Sequence, residues 1–402
     1  MVAPPAGPQR STPAGPQRST PAGPLDGILV ADFSRILAGP YATMLLADLG
    51  AEVVKVEGPS GDDTRTWMPP VRDGISTYYL GINRNKRSIV LALTDEEHLA
   101  LAHELAARAD VLIENMRPGG MLRFGLDHDT VRAGNPGIGY ASISGFGTTE
   151  QAASLAGYDL MVQGISGLMS LTGDPDGPAY RAGMPVCDVL AGLHATVGIL
   201  AALNRRHETG VGQRIEVDLL SSTLSGLVNH TSAVVASDVT PFRMGNAHPS
   251  LFPYEPLPTA DGEILVIAGN DRQFAELCEV LGLLGVARDE RFATNEDRTA
   301  QRAALLPLLL EALATRTTAE WFDLLRANGL PGGPVNTVRE GVAFAASVGL
   351  HPVIEAGDGD AAVPSIRNPI TLSDSPRPTA TRRPGSGSTR TSCPPGSRRP
   401  GD

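Results

Sequence analysis

The amino-acid sequence predicts an α/β protein: a larger domain of parallel strands with a smaller α/β domain inserted into it. Three observations carry that reading. Ile28 to Glu57 runs strand, helix, strand over about thirty residues, a βαβ unit whose crossover is right-handed. Further strand and helix patterns alternate as far as residue 228. A second block of one strand and three helices then fills Pro253 to Val338 before a return segment begins.

Residues 1–24 carry PAGPQRST twice in tandem, then PAGP. A repeat of Pro, Gly, Ser and Arg cannot bury a core and is expected to be a disordered, dispensable extension. The first part of the large domain is assigned to 25–228. GILVADFS reads as a buried strand. Ala42, Leu45, Leu46 and Leu49 then recur at helical spacing, with Gly50 as the stop. Gly39-Pro40 precedes that helix, where backbone N–H groups can face an anion. AEVVKVEGP is the second strand. There is no GxGxxG or Walker A pattern, so neither NAD nor ATP is inferred.

NRNKRSIVLAL gives a basic turn before a strand. Asn83, Arg84, Lys86 and Arg87 read either as a phosphate-holding turn or as a solvated one. Thr94 with Glu97 reads as a capping box opening a helix through about Ala109. DVLIENM is a strand, and Arg117 and Arg123 lie just past its carboxyl end, where open α/β sheets bind ligands. IGYASISGFG is another strand.

Two carboxylates occupy apolar settings. Asp159 opens LMVQGISGLMSL, and Asp188 opens VLAGLHATVGILAAL. A carboxylate is rarely buried without a partner or a task. Asp188 reads as a helix N-cap, as a functional group, or as both, since a helix N-terminus keeps a carboxylate ionised. RIEVDLL is a strand entering a further helix.

Residues 229–338 are assigned to a loose connection and the small domain. EILVIAGN is its strand; DRQFAELCEVLGL, TAQRAALLPLLLEALATR and TTAEWFDLLRANG are its helices, the last capped by Thr317 or Thr318. Residues 339–374 return to the large domain. Residues 375–402, rich in Pro, Arg, Ser and Gly, are expected to be a disordered, atypical tail.

The composition excludes several classes. A net charge of -11 and no basic run inside the patterned region argue against nucleic-acid binding. Cys187, Cys278 and Cys393 are too far apart for a disulfide framework or a metal cluster, which fits a cytoplasmic protein; the first two read as buried packing residues. The N-terminus has no apolar signal-peptide core. The longest apolar run, Val189 to Leu203, is short for a bilayer span and reads as a buried helix of a soluble protein, with no membrane partner.

DFSRILAGPYATMLLADLGAEVVKVE, NKRSIVLAL, DVLIENMRPGG, ASISGFG and HETGVGQRIEVDLL together resemble the family III CoA-transferases. Formyl-CoA transferase and carnitine CoA-transferase belong to that group, and the α-methylacyl-CoA racemases are related to it. The likeness covers Leu25 to Leu372. It implies a Rossmann-like large domain built from both chain ends, and an interlocked homodimer. It implies acyl-CoA and a small carboxylic acid as substrates, with no tightly bound cofactor and no metal. It places Asp188 on the catalytic aspartate. Leu37, Ala38, Leu91, Asn115, Met116, Arg117, Arg123 and Tyr158 fall on positions that line the CoA site.

The Gly-rich loop of formyl-CoA transferase has no counterpart between Asn229 and Gly262, which argues against formyl-CoA and oxalate as the pair. The acidic segment with which family members end is absent after Ser375.

The related racemases place a histidine directly before an aspartate in GHD; here the sequence is Gly157-Tyr158-Asp159. A phenol is a poor proton shuttle at neutral pH, so Tyr158 favours the transferase over the racemase. A non-catalytic CoA-binding protein is the remaining alternative. His128 reads as part of a solvated cap and His194 as a packed helix residue. The expected mechanism is covalent catalysis by Asp188 through an aspartyl anhydride and an aspartyl-CoA thioester. Backbone N–H groups near Gly164 to Gly167 are candidate oxyanion donors.

Overall fold

A computed structural model describes residues 23–357 and 362–375. The expectations for the N-terminal repeat and the C-terminal tail fall almost wholly outside those residues.

Six parallel strands form the main sheet: β1 (Leu29–Asp32), β2 (Glu52–Glu57), β3 (Lys86–Val90), β4 (Val111–Glu114), β5 (Gly139–Ser144) and β6 (Arg214–Asp218). Their order is β3-β2-β1-β4-β5-β6, with parallel pairing throughout. This is the doubly wound order, and its direction reverses between β1 and β4. Strands covered on both faces read as continuous apolar runs, and Val30, Ala31, Val111, Leu112 and Ile113 have no exposure at all. Helix α1 (Ala38–Asp48) follows β1 and buries Ala42, Leu45 and Leu46. The helix Glu96–Arg108 is capped by Asp95, not by Thr94: its carboxylate accepts the Glu97 and His98 N–H groups at 3.1 Å each. Asp95, one residue later, brings a carboxylate to those orphan donors, and a charged acceptor suits a helix N-terminus.

Helix α2 (Val186–Thr209) spans 24 residues, longer than the apolar run at its centre. Among the described residues it alone is long and apolar enough to cross a membrane, and 39% of its most apolar window is buried. Leu193 and Val197 are 41% and 64% exposed, and His194 is exposed as well. Within one chain, α2 is therefore not the buried helix expected, nor is His194 packed.

The chain divides into two compact units. One comprises the described residues up to Ser154, then Asp188–Asp218, then the described residues from Val353. It holds the six-stranded sheet and an antiparallel pair, Val353–Ala356 with Val363–Ile366. The other comprises Leu155–Cys187 and Leu219–Pro352. It holds helix α3 (Asn229–Ser237) and a three-stranded antiparallel sheet of β7 (Tyr254–Pro258), β8 (Glu263–Ile267) and β9 (Gly332–Pro334), in the order β9-β8-β7. Its core gathers Phe252, Ile264, Val266, Phe274, Leu309 and Trp321. Thr317 caps the helix Thr318–Ala327 in a capping box with Glu320. The stretch read as a loose connection holds α3 and β7; its prolines and polar residues hid both.

Candidate active site

The carboxyl ends of β1 and β4 flank the sheet's reversal point, where open α/β sheets bind ligands. Asn115 joins the two loops there. Its side-chain oxygen accepts the Arg35 N–H at 2.9 Å, and its amide donates to the Arg35 carbonyl at 2.8 Å. Beside it, Glu114 accepts the Met116 N–H at 2.8 Å, and burial raises its carboxyl pKa above the usual range. Ile36 sits at φ 69°, a left-handed conformation that a β-branched residue adopts only under strain. Asp62 holds it by accepting its N–H at 3.3 Å. Leu37 and Ala38 follow, both buried. Leu91 is buried in the core that also holds Phe33 and Ile89.

That strained loop rests on a buried ionic cluster. Asp32, Lys55 and Lys86 have no exposed side-chain surface. Asp32 accepts from Ser34, from Thr43 Oγ1 at 2.6 Å and from Lys86 Nζ at 3.3 Å. Burial pushes its carboxyl upward, but the Lys86 and Lys55 cations and the hydroxyl donors outweigh it and hold the group below its ordinary value. Lys86 also donates to Pro40 O and Asn83 Oδ1, each at 2.8 Å. Burial takes its ammonium down to about 7, against the pull of Asp32. Lys55 Nζ meets Asp62 Oδ2 and the Ser34 carbonyl, each at 2.9 Å. Glu57 takes both arms of Arg65 at 2.7 Å.

The basic turn is thus neither a phosphate cradle nor a solvated turn. Asn83, Arg84 and Lys86 are buried, Arg84 pairs with Asp48, and exposed Arg87 pairs with Glu52 at 2.7 Å.

Asp188 lies in the first turn of α2, two residues after its start, so it is not the N-cap. Another carboxylate serves that end of the helix. Asp159 Oδ1 accepts the Cys187 N–H at 2.8 Å, and its Oδ2 accepts from Gln163 Nε2 at 2.6 Å. Gln163 Oε1 in turn accepts the Ala182 N–H at 2.8 Å. Gln163 has no exposure, so this relay pins the chain on both sides of the turn into α2. One helical turn beyond Asp188, Gly192 faces α1: a Cβ there would stand 2.7 Å from the Ala38 carbonyl oxygen. A missing side chain therefore lets α2 press against the loop that carries Leu37 and Ala38.

Met116 is half-buried, while Arg117 and Arg123 are exposed, and neither guanidinium meets a carboxylate among the described residues. Arg123 stacks on the Phe124 ring at 4.4 Å. Tyr158 is 66% exposed and stands just before the helix Asp159–Ile165. His128 is not part of a solvated cap: Asp127 does the capping, and the His128 ring packs edge-on to Tyr140 with its Nε2 buried. The Ser166 and Gly167 N–H groups donate to Val162 and Gly164 carbonyls at 2.8 and 3.3 Å, so those two are not free oxyanion donors.

Asp32, Gln163 and Gly192 escaped the sequence reading. The run DFS offered a buried aspartate at a strand's carboxyl end, a signal for the first. A lone helical glycine gave none for the last.

The chain supplies a carboxylate in the first turn of a helix, two loops at the sheet's switch point and exposed guanidinium groups in the chain that follows β4. The sequence model of CoA-transferase family III matches residues 25–390. Succinate–glutarate CoA-transferase of Agrobacterium fabrum is 42% identical over 366 residues, 88% of this chain and 90% of that protein. Acetyl-CoA:oxalate CoA-transferase of Acetobacter aceti is 39% identical, over 87% of this chain and 89% of that one. The crystal structure of a CAIB/BAIF family protein from Brucella suis superposes with a TM-score of 0.82 at 42% identity, covering 91% of this chain and 97% of that chain. Its sheet, its switch-point loops and these likenesses together make the chain a member of CoA-transferase family III.

Proposed function

We propose that Asp188 is the nucleophile in a transfer of CoA from an acyl-CoA to a free carboxylic acid. The observation that carries the assignment is its place: the first turn of a helix pressed, through Gly192, against the switch-point loop.

An Asp188 oxygen attacks the thioester carbonyl of the donor. The C–S bond breaks, leaving an aspartyl-acyl anhydride and CoA thiolate. The thiolate attacks the aspartyl carbonyl and expels the donor carboxylate, giving an aspartyl-CoA thioester. The acceptor carboxylate attacks that thioester, re-forming an anhydride and releasing thiolate. Thiolate attack on the acyl carbonyl yields the new acyl-CoA and restores Asp188. No proton is consumed, so no acid or base is required. Asp159 and Gln163 fix the approach of the chain into α2, which supports orientation as the main protein contribution. Arg117 and Arg123 suit the phosphates of CoA, since a planar guanidinium binds them bidentately. Leu37, Ala38, Leu91, Asn115, Met116 and Tyr158 complete the proposed CoA site.

Succinate, glutarate and oxalate head the panel of acids to try, being named for the relatives. In an exchange assay of these acids against acyl-CoA donors, Asp188→Ala abolishes transfer. Persistent exchange in that variant would remove Asp188 from the mechanism.

The interlocked homodimer belongs to the same proposal. The exposed apolar face of α2, with Leu193 and Val197 at 41% and 64% exposure, supports burial in a second copy. Light scattering at the monomer mass would refute it. The buried, widely spaced Cys187 and Cys278 support a reducing, cytoplasmic setting. Fractionation that finds the protein outside the cytoplasm would reject that setting.

A further inference from the structure

Ser34, Arg35 and Ile36 link β1 to α1 without regular structure, yet every backbone N–H in the segment is held by a side chain. The Ser34 N–H donates to Asp32 Oδ1 at 3.0 Å, and the Ser34 carbonyl accepts from Lys55 Nζ at 2.9 Å. Asn115 takes both backbone groups of Arg35. The Ile36 N–H donates to Asp62 Oδ2 at 3.3 Å, and that same oxygen meets Lys55 Nζ at 2.9 Å. Loops ordinarily run over the surface and leave such groups to water. Here one buried ion pair grips the segment at both ends.

The pair is itself braced. The Asp62 N–H donates to Glu57 Oε2 at 2.9 Å, and Asp62 Oδ1 accepts from the Thr64 N–H at 3.0 Å and from Thr64 Oγ1 at 2.6 Å. Burial pushes the Asp62 carboxyl upward, but the Lys55 cation and the Thr64 donors outweigh it and hold the group below its ordinary value. It therefore stays an ionised acceptor for Ile36. The grip has something to hold against: at φ 69° a β-branched residue is strained, and released it would relax to negative φ. The residues that follow are Leu37, from which α1 starts, and Ala38.

We propose that Lys55 and Asp62 are positioning residues for CoA binding, holding Ile36 in its left-handed turn so that Leu37 and Ala38 are set to meet the acyl-CoA. The inference rests on the CoA site proposed above. Both residues are buried and act through Ile36. Such a clamp keeps the binding-competent conformer populated in the free protein, and its loss lowers affinity by the fraction of molecules that relax.

Lys55→Met/Asp62→Asn removes the clamp without stranding either charge of the pair. The asparagine oxygen still serves Thr64, while its amide, a donor, faces the Ile36 N–H. Calorimetry of the full chain with CoA shows Kd raised about tenfold, the population lost when a left-handed β-branched residue is freed to relax. Bound substrate restores the conformer, so kcat in the exchange assay stays within about twofold of wild type while KM rises. Adding Ile36→Gly returns Kd to within about threefold of wild type, because glycine takes positive φ about as readily as negative. A purely structural pair would lower the unfolding midpoint and gain nothing from that glycine. Hydrogen exchange of the wild type needs no variant, and finds the Arg35 and Ile36 amides protected before CoA is added. An unchanged Kd in the pair variant overturns the proposal, as does a raised Kd that Ile36→Gly leaves raised, or rapid exchange of those amides. A wild type that does not bind CoA fails the underlying site instead, so the two failures are distinguishable.

Discussion

Replacing Asp159 by alanine tests the device that holds α2, the helix proposed to carry the nucleophile. The substitution removes the acceptor of the Cys187 N–H at 2.8 Å and of the Gln163 amide at 2.6 Å, and leaves the Asp188 side chain in the sequence. Loss of a helix-capping acceptor costs about 1 kcal/mol, and a buried amide left with only its 3.5 Å contact to the Met184 carbonyl adds about 1 kcal/mol more. Stability should fall by about 2 kcal/mol, read as a lower urea midpoint at unchanged slope. The larger effect falls on the reaction. A displacement of about 1 Å at a reacting group costs on the order of 100-fold, so kcat drops about 10- to 100-fold while KM for acyl-CoA stays close to wild type. Asp159→Asn keeps an oxygen for Cys187 but turns an N–H towards the Gln163 amide. That amide cannot flip without losing the Ala182 N–H. The asparagine variant therefore recovers part of kcat, not all. Wild-type kcat in Asp159→Ala refutes the positioning role. An asparagine variant as slow as alanine shows that the charge matters rather than the cap.

Three further outcomes rest on separate contacts. Asp32→Asn leaves Lys86 without its counter-charge in a fully buried site and costs about 3–5 kcal/mol of stability by chemical denaturation. Because the folded pKa of Asp32 lies below its unfolded 3.8, its contribution is present above that pH and lost as pH falls through the folded value. The variant's stability should therefore fall less steeply with acid than the wild type's, and parallel curves would contradict the cluster's role. Gly192→Ala would gain up to about 1 kcal/mol in an ordinary helix interior. Here the added Cβ meets the Ala38 oxygen at 2.7 Å, so thermal unfolding shows a loss, and a gain would mean the helices are not so close. Arg123→Gln raises KM for acyl-CoA about tenfold with kcat unchanged; an unaltered KM would remove it from phosphate binding.

Much of the large sheet was legible because buried parallel strands are runs of β-branched and aliphatic residues, as in VLIE of β4 and EVVKVE of β2. Asp188 stood out as a charge opening an apolar helix. Less was readable where the deciding partner lies far along the chain. Lys86 reads locally as part of a basic surface turn, yet it is buried against Asp32, 54 residues earlier. Asp159 drew attention as a carboxylate in an apolar setting, but its partner Cys187 lies 28 residues on. Thr94 lost the cap to Asp95 through a one-residue shift that periodicity does not resolve. The exposure of His194 and Val197 runs against an apolar pattern that correctly gave a helix but not what covers it.

The most direct test of the account is mass spectrometry of enzyme incubated with an acyl-CoA donor and trapped with hydroxylamine. The tryptic peptide Ala182–Arg205 contains a single carboxylate, Asp188. The account predicts conversion of that side chain to its hydroxamate, dependent on the acyl-CoA and absent from Asp188→Ala. Rapid CoA exchange with that peptide unmodified, or a hydroxamate on any other residue, would contradict it.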